Sequence, residues 1–249
     1  MKFKILLLLA MCGLAYGQKS KPRLTATPTP KQTSSPKPTP KLTPSPTPKP
    51  TSAPSTLPVA SIETSQLVGF TDYPQAVRTL IEESLALTKQ NLTYTYGSAD
   101  PTRGGMDCSG TIYYVLRKIG VQDVPRSASA QYLWTRKAGT FDAVISRKMQ
   151  SFEMEALQPG DLLFWTGTYA TEVDPPVTHS MIYLGKRKKD GKPLMFGASD
   201  GRSYDGKQMW GVSVFDFTIP KAKAKGDAKP SSVFIGYATI PGLKAAAPL

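Results

Sequence analysis

Two side chains of this sequence can carry out nucleophilic chemistry, namely Cys108 and the only histidine, His179. The other cysteine, Cys12, lies in an apolar N-terminal stretch, so removal of that stretch leaves Cys108 as the only thiol. An unpaired thiol in an oxidising compartment is normally either buried or used in chemistry. Cys108 is therefore a candidate nucleophile, with an inert buried cysteine and a core histidine as the alternatives.

Cys108 is predicted to begin a helix. A glycine pair precedes it, and apolar residues then recur at i, i+3, i+4 and i+7 from Ile112 until Gly120 ends the pattern. Unpaired N–H groups at a helix N-terminus lower the pKa of a thiol and can stabilise an oxyanion. The alternative is that Asp107 and Ser109 only cap a helix whose cysteine is buried.

His179 is predicted at the start of a strand over residues 179–184, after an irregular segment. A histidine at the open end of a sheet can face a helix terminus, where it would act as general base toward Cys108 and general acid toward a leaving amine. A zinc site is disfavoured, because one cysteine and one histidine would leave the remaining ligands to carboxylates. No metal is therefore expected.

The elements that must position Cys108 and His179 are predicted to be helices in the earlier part of the globular domain and strands in the later part. Helical spacing favours helices over residues 73–89, 108–119 and 127–137, and strand patterns follow at 161–166, 179–184, 194–199, 212–219 and 233–240. This order indicates an α+β fold, in which the helices pack on a mostly antiparallel sheet of about five strands.

By composition the chain divides into three parts. Residues 1–17 have a basic start, an apolar stretch and small residues before Gln18, which predicts a signal peptide and export to the periplasm, the cell wall or the extracellular medium. A membrane anchor is disfavoured because a span needs roughly 20 apolar residues, and a lipoprotein site at Cys12 because Met11 is too large. Residues 18–61 are predicted as a disordered Pro/Thr/Lys-rich linker, and residues 62–249 as one globular domain.

The positive charge belongs mostly to the linker. Of the formal net charge of +13, the signal peptide carries two and the linker seven, which leaves +4 for residues 61–249. An exported basic linker is expected to contact anionic wall polymers rather than nucleic acid, with plain reach and solubility as the alternative. No transmembrane span is expected after signal cleavage.

Five short motifs occur in an order that resembles the NlpC/P60 family. They are Tyr-Thr-Tyr-Gly-Ser (94–98), Met-Asp-Cys-Ser-Gly (106–110), Val-Pro-Arg-Ser-Ala (124–128), Pro-Gly-Asp-Leu-Leu-Phe (159–164) and His-Ser-Met-Ile-Tyr-Leu-Gly (179–185). Each motif alone is weak, but the ordered set is specific. The resemblance implies a papain-like fold and a Cys108–His179 peptidase. The implied partners are the peptide stems of bacterial peptidoglycan, often cut between D-γ-glutamyl and a diamino acid, and no metal or organic cofactor is implied.

The resemblance also implies roles for neighbouring residues. Tyr94 matches the family tyrosine whose hydroxyl helps at the oxyanion, with core packing as the alternative. Asp107, Ser109 and Ser127 match positions that hold the free amino end of the stem peptide in relatives with γ-glutamyl activity. Helix capping is the alternative for these three residues.

In one respect the sequence departs from the family pattern. The family commonly places a polar residue on the strand after its histidine to orient the imidazole, and the corresponding position here is Gly197. Ser199 or Asp200 would take this role after a local shift, or a backbone carbonyl would do so. The absent side chain also keeps open a second hypothesis, a catalytically weak or silent wall-binding module of the same fold.

Overall fold

The computed structural model of the chain describes residues 58–220 and 232–243. The predicted signal peptide and most of the predicted linker lie outside these residues. None of the helices within the described ranges combines the length and apolar content needed to cross a membrane.

Three helices form where the sequence predicts them. They are α1 (Gln75–Thr88), α2 (Cys108–Lys118) and α3 (Ala128–Lys137). The apolar stripe of α1, including Leu80 and Ile81, is buried in the core. The last two helices begin at side-chain caps, since Asp107 and Ser127 each accept a hydrogen bond from a backbone N–H of the first turn.

The strands form two sheets. A small parallel pair consists of β1 (Thr93–Tyr94) and β2 (Gly105–Met106). The main sheet contains β3 (Phe141–Ala143), β4 (Leu162–Thr166), β5 (Val177–Lys186), β6 (Pro193–Tyr204), β7 (Lys207–Asp216) and β8 (Val233–Ala238). Its order is β3-β8-β4-β5-β6-β7, and every neighbouring pair is antiparallel. The α+β prediction is confirmed, but the sheet has six strands rather than five, because the three-residue edge strand β3 is too short to show periodicity.

Strand β5 lies inside the sheet and carries His179. All of its residues except Lys186 are buried, and both α2 and α3 pack against it. Helix α2 also contacts β6, while α1 packs against β7. The N-terminus of α2 and the first half of β5 therefore belong to one packed core.

The folded part begins before the predicted boundary at residue 62. The carbonyl of Pro58 accepts a hydrogen bond from Trp210 N at 3.1 Å, and the carbonyl of Ala60 accepts one from Val214 N at 2.9 Å. Ala60 N in turn donates to the Ser213 hydroxyl at 2.7 Å. Residues 58–61, assigned to the linker by composition, thus lie along β7.

The buried side-chain amide of Gln131 connects α3 with both β5 and α2. The Gln131 side chain of α3 accepts a hydrogen bond from the Ser180 hydroxyl at 2.7 Å and donates to the carbonyls of Ser109 and Pro125, each at 3.0 Å. Gln131 and Ser180 are fully buried. Gln131 therefore fixes β5, beside His179, relative to the first turn of α2.

Replacing Gln131 with leucine should lower the free energy of unfolding by about 2 kcal/mol or more, because each buried polar group left without a partner costs about 1–3 kcal/mol. Urea denaturation measures this change. The control is Gln122→Leu, which alters an exposed glutamine and should change stability by less than about 0.5 kcal/mol. Equal losses in the two variants would contradict a positioning role for Gln131.

Candidate active site

A cavity of about 230 Å³ opens at the N-terminus of α2. Its lining includes five of the residues singled out from the sequence, namely Tyr94, Asp107, Cys108, Ser109 and Ser127. Four chain segments therefore meet at this cavity, namely β1, the start of α2, the segment before α3 and the segment before β5. The fold brings together motifs that are far apart in the chain.

The Cys108 sulfur lies at the floor of this cavity, against the backbone of β5. It is 4.0 Å from the carbonyl oxygen of Thr178, and the N–H groups of Ser180 and Ser109 also act on it. Strand β5 pairs with β6 only from Ile182↔Phe196 onward. The sulfur therefore contacts β5 at Thr178 and Ser180, on either side of His179. This part of β5 lies before the residues that pair with β6.

Burial controls the protonation state of the thiol. Cys108 is 5% exposed, and burial, followed by the negative charge of Asp107, raises its pKa to about 11. The N–H groups of Ser180 and Ser109 and the charge of Arg202 act in the opposite direction. The Ser109 N–H at the start of α2 therefore lowers the pKa of the thiol as expected, but desolvation outweighs this effect and the net pKa is raised in the resting site.

The imidazole of His179 is also uncharged at neutral pH. Burial, with a smaller contribution from the positive charge of Arg202, holds its pKa well below 6.5. The ring packs edge-on against Trp165, with ring centroids 5.7 Å apart, and its buried Nε2 has no hydrogen-bond partner. No hydrogen bond joins the thiol to the imidazole, a contact that in free enzymes often forms only with substrate.

The carboxylate of Asp107 is fully occupied by hydrogen bonds. Oδ1 caps α2 by accepting from Gly110 N at 2.6 Å, and Oδ2 accepts from Gly97 N at 2.8 Å. The Arg126 guanidinium donates to both oxygens, at 2.9 and 2.7 Å. The Ser109 hydroxyl donates to Oδ1 at 3.3 Å. Asp107 therefore has the capping role that sequence analysis gave as the alternative.

The other two predicted substrate-binding residues differ in their partners. Arg126 donates to the Ser109 hydroxyl at 3.2 Å, which places Ser109 in the same ionic cluster as Asp107. Ser127 caps α3 by accepting from Ala130 N at 3.2 Å. Both side chains nevertheless line the cavity.

Tyr94 lines the cavity beside Cys108. Its strand β1 pairs with β2 at Met106, directly before the Asp107–Cys108 sequence. Burial, followed by the charges of Cys108 and Asp107, raises the pKa of Tyr94 well above its ordinary value of 10. The phenol therefore keeps its proton and can donate a hydrogen bond to a developing oxyanion.

Neither predicted orienting residue is hydrogen-bonded to His179. Continuing the β5–β6 register places Met181 opposite Gly197 and His179 opposite Ser199. A side chain at Gly197 would come within 3.0 Å of Met181 Cγ, so Met181 fills that space. Ser199 is buried on β6, whereas Asp200 is exposed.

Arg202 was not singled out from the sequence, although its charge acts on both Cys108 and His179. Its guanidinium carbon lies 4.3 Å from the centroid of the Trp165 ring. Arg202 lies within a register shift between Asp200 and Ser203, and the adjacent Gly201, with a φ of 131°, is a local sequence signal for that irregularity. Within the described ranges, no group of three or more His, Cys, Asp or Glu side chains is arranged to hold a metal ion.

Comparison with known proteins shows what the part of the chain around this cavity is similar to. Residues 91–208 match the NlpC/P60 family. Gamma-DL-glutamyl hydrolase of Bacillus subtilis (strain 168) is 28% identical over 137 residues, which are 51% of this chain and 27% of that protein. A crystal structure of a lipoprotein-like NLP/P60 family protein from Staphylococcus aureus has 26% sequence identity and a TM-score of 0.42, over 68% of this chain and 42% of its own.

The chain therefore contains an NlpC/P60 family domain, and the assignment predicted from the five motifs is confirmed. The chain spans about a quarter of the length of the Bacillus relative and less than half of the Staphylococcus structure.

The alkylation rate of Cys108 by iodoacetamide should rise steadily between about pH 7 and 10 without reaching a plateau, because its raised pKa keeps the thiolate scarce over this range. The measurement uses a Cys12→Ser chain, so that only one thiol reacts, and mass spectrometry follows the adduct. A Cys12→Ser, Cys108→Ser chain serves as the blank. A plateau below about pH 8 would mean that the thiol is already ionised in the resting site.

Proposed function

We propose that this protein is an exported cysteine peptidase that hydrolyses the peptide stems of bacterial peptidoglycan, at the bond between D-γ-glutamyl and a diamino acid. The observation that carries the proposal is the position of the Cys108 sulfur, which lies against β5 on both sides of His179 at the floor of a cavity that Tyr94 also lines. The name of the Bacillus relative, a gamma-DL-glutamyl hydrolase, supports the class of bond. The predicted signal peptide supports export.

The uncharged state of the pair fits a general-base mechanism. A neutral His179 accepts the proton of the Cys108 thiol while the sulfur attacks the stem-peptide carbonyl, and a thioester forms when the carbon–nitrogen bond breaks. The imidazolium returns its proton to the leaving amine. Water, deprotonated by His179, then attacks the thioester, which releases the acid and restores the thiol.

The negative oxygen formed during attack requires hydrogen-bond donors. The Tyr94 phenol supplies one, since its raised pKa keeps it protonated, and the N-terminal backbone of α2 supplies the field of the helix dipole. Both act beside the buried Cys108, and such interactions are stronger near a desolvated group than in bulk solvent.

A second candidate function is a weak or silent wall-binding module. The observations that favour it are the missing side chain at Gly197 and the absence of a thiol–imidazole hydrogen bond in the resting site. In that function the basic linker would provide retention on anionic wall polymers, and Cys108 would be an inert buried cysteine. The two candidates differ in whether peptide bonds are cut at all.

Cys108→Ala and His179→Ala should each remove nearly all hydrolysis of defined stem peptides, because the first variant lacks the nucleophile and the second lacks the only imidazole of the chain. Mass spectrometry of the products measures both the rate and the bond cut. Cys12→Ala is the matched control and should retain wild-type rates in vitro. Undiminished cleavage by Cys108→Ala would contradict the mechanism, and no cleavage by the wild type would favour the binding module.

A further inference from the structure

The hairpin that joins β5 and β6 concentrates positive charge at one end of the main sheet. Residues 186–192 read Lys-Arg-Lys-Lys-Asp-Gly-Lys, which is five cations and one carboxylate in seven residues. The residues that the structure describes hold, in total, as many lysines and arginines as aspartates and glutamates. The surplus of positive charge at this hairpin is therefore balanced by a net negative charge over the rest of the described residues.

One of the five cations, Arg187, is turned inward and neutralises the carboxylates around it. Its guanidinium donates to Asp190 at 3.0 and 2.6 Å and to Asp205 at 2.8 and 2.6 Å. It also lies over the ring of Tyr204, 5.2 Å from the centroid. The Arg187 side chain is only 3% exposed, so both carboxylates are bound from the protein side.

Three other cations of the hairpin have no such partner. Lys186, Lys188 and Lys189 are exposed, and none of the ion pairs within the described part of the chain includes them. Lys192, by contrast, lies 3.3 Å from Asp205. The three unpaired lysines are called the lysine cluster below.

The backbone that carries the lysine cluster is held by the chain before α1. Val68 N donates to the carbonyl of Lys186 at 2.9 Å, and Lys188 N donates to the carbonyl of Gln66 at 2.7 Å. An antiparallel bridge joins the residues between these two contacts. Because the backbone is already fixed, a ligand of the cluster has to order only the lysine side chains.

The lysine cluster lies at the other end of β5 from the candidate active site. His179 is the third residue of this strand, and Lys186 is the last. At about 3.3 Å per residue, roughly 20 Å separates the two positions. A ligand bound at the cluster therefore leaves the cavity at Cys108 open.

We propose that the lysine cluster binds a linear polyphosphodiester, an anionic polymer of the cell wall, and thereby holds the folded domain on the wall. Lysine ammonium groups are compact charges that attract phosphates without a fixed geometry, which suits a flexible chain of repeated charges. Residues 186–192 include no aromatic or large apolar side chain that would insert into a membrane surface or stack on nucleic-acid bases. The choice of a wall polymer rests on the proposed export.

Binding of poly(glycerol phosphate) to the full chain, measured over a range of salt concentrations, tests this proposal. The test variant combines Lys186→Gln, Lys188→Gln and Lys189→Gln. At low salt its Kd should be at least about tenfold higher than that of the wild type, and the slope of log Kd against log salt concentration should fall by about two, because each lost phosphate contact removes about 0.7 from the slope for a single-stranded polyanion.

The matched control combines Lys31→Gln, Lys37→Gln and Lys41→Gln in the predicted linker, which removes the same net charge. It should raise Kd less than about threefold, since those lysines are not part of the cluster. Replacing the three cluster lysines with arginine keeps their charge and should leave Kd within about twofold of the wild type. Equal losses in the hairpin and linker variants would overturn the proposal, because net charge alone would then explain binding.

Two further ligands test the choice of polymer. Vesicles of phosphatidylcholine with phosphatidylglycerol present a lipid phosphate surface, and a single-stranded DNA oligonucleotide presents the same charge with bases. Tighter binding of the wild type to either ligand than to poly(glycerol phosphate), or no binding to the polymer, would overturn the proposal.

Hydrolysis of a short stem peptide separates this proposal from the proposed function. The hairpin variant should cleave the peptide at the wild-type rate, because the lysine cluster lies away from the cavity, and a lower rate would contradict that separation. If the wild type cleaves no peptide, the proposed peptidase activity fails. The polymer measurement needs no turnover, so it still decides whether the cluster binds.

Discussion

The site depends first on the carboxylate of Asp107. This one group caps the helix that begins at Cys108, holds the turn at Gly97 and pairs with Arg126, so it joins three chain segments directly beside the nucleophile. A buried carboxylate is stable only when it is paired and hydrogen-bonded. The position of the sulfur is therefore coupled to the ion pair between Asp107 and Arg126.

Desolvation is the second constraint on the site. The core that places α2 on β5 buries both the thiol and the imidazole, which raises the pKa of Cys108 and lowers that of His179. Both groups are consequently neutral at rest, and the thiolate forms only during proton transfer. Gln131 matters in this scheme because its hydrogen bond to Ser180 holds the strand beside His179 in place without supplying a reacting atom.

Most of the fold was predictable from the sequence, as were several of the residues that line the cavity, and the failures have physical causes. The helices were found because apolar spacing and caps are local signals, and Cys108 and Tyr94 because their motifs are continuous. The strands β1, β2 and β3 were missed because two or three residues show no periodicity. The Asp107–Arg126 pair joins residues 19 apart, and Arg202 lies within an irregular stretch of the β6–β7 register. Contacts of this kind arise from tertiary packing and leave no pattern in the sequence.

The central claim, that Cys108 attacks a stem-peptide carbonyl with His179 as its base, predicts a covalent intermediate. Mixing the protein with a stem peptide, quenching in acid within the first turnover and measuring intact and peptide masses tests it most directly. The account predicts a thioester of the acyl fragment on Cys108 in the wild type and none in His179→Ala. Cleavage without any adduct on Cys108, or an adduct on another residue, would contradict it.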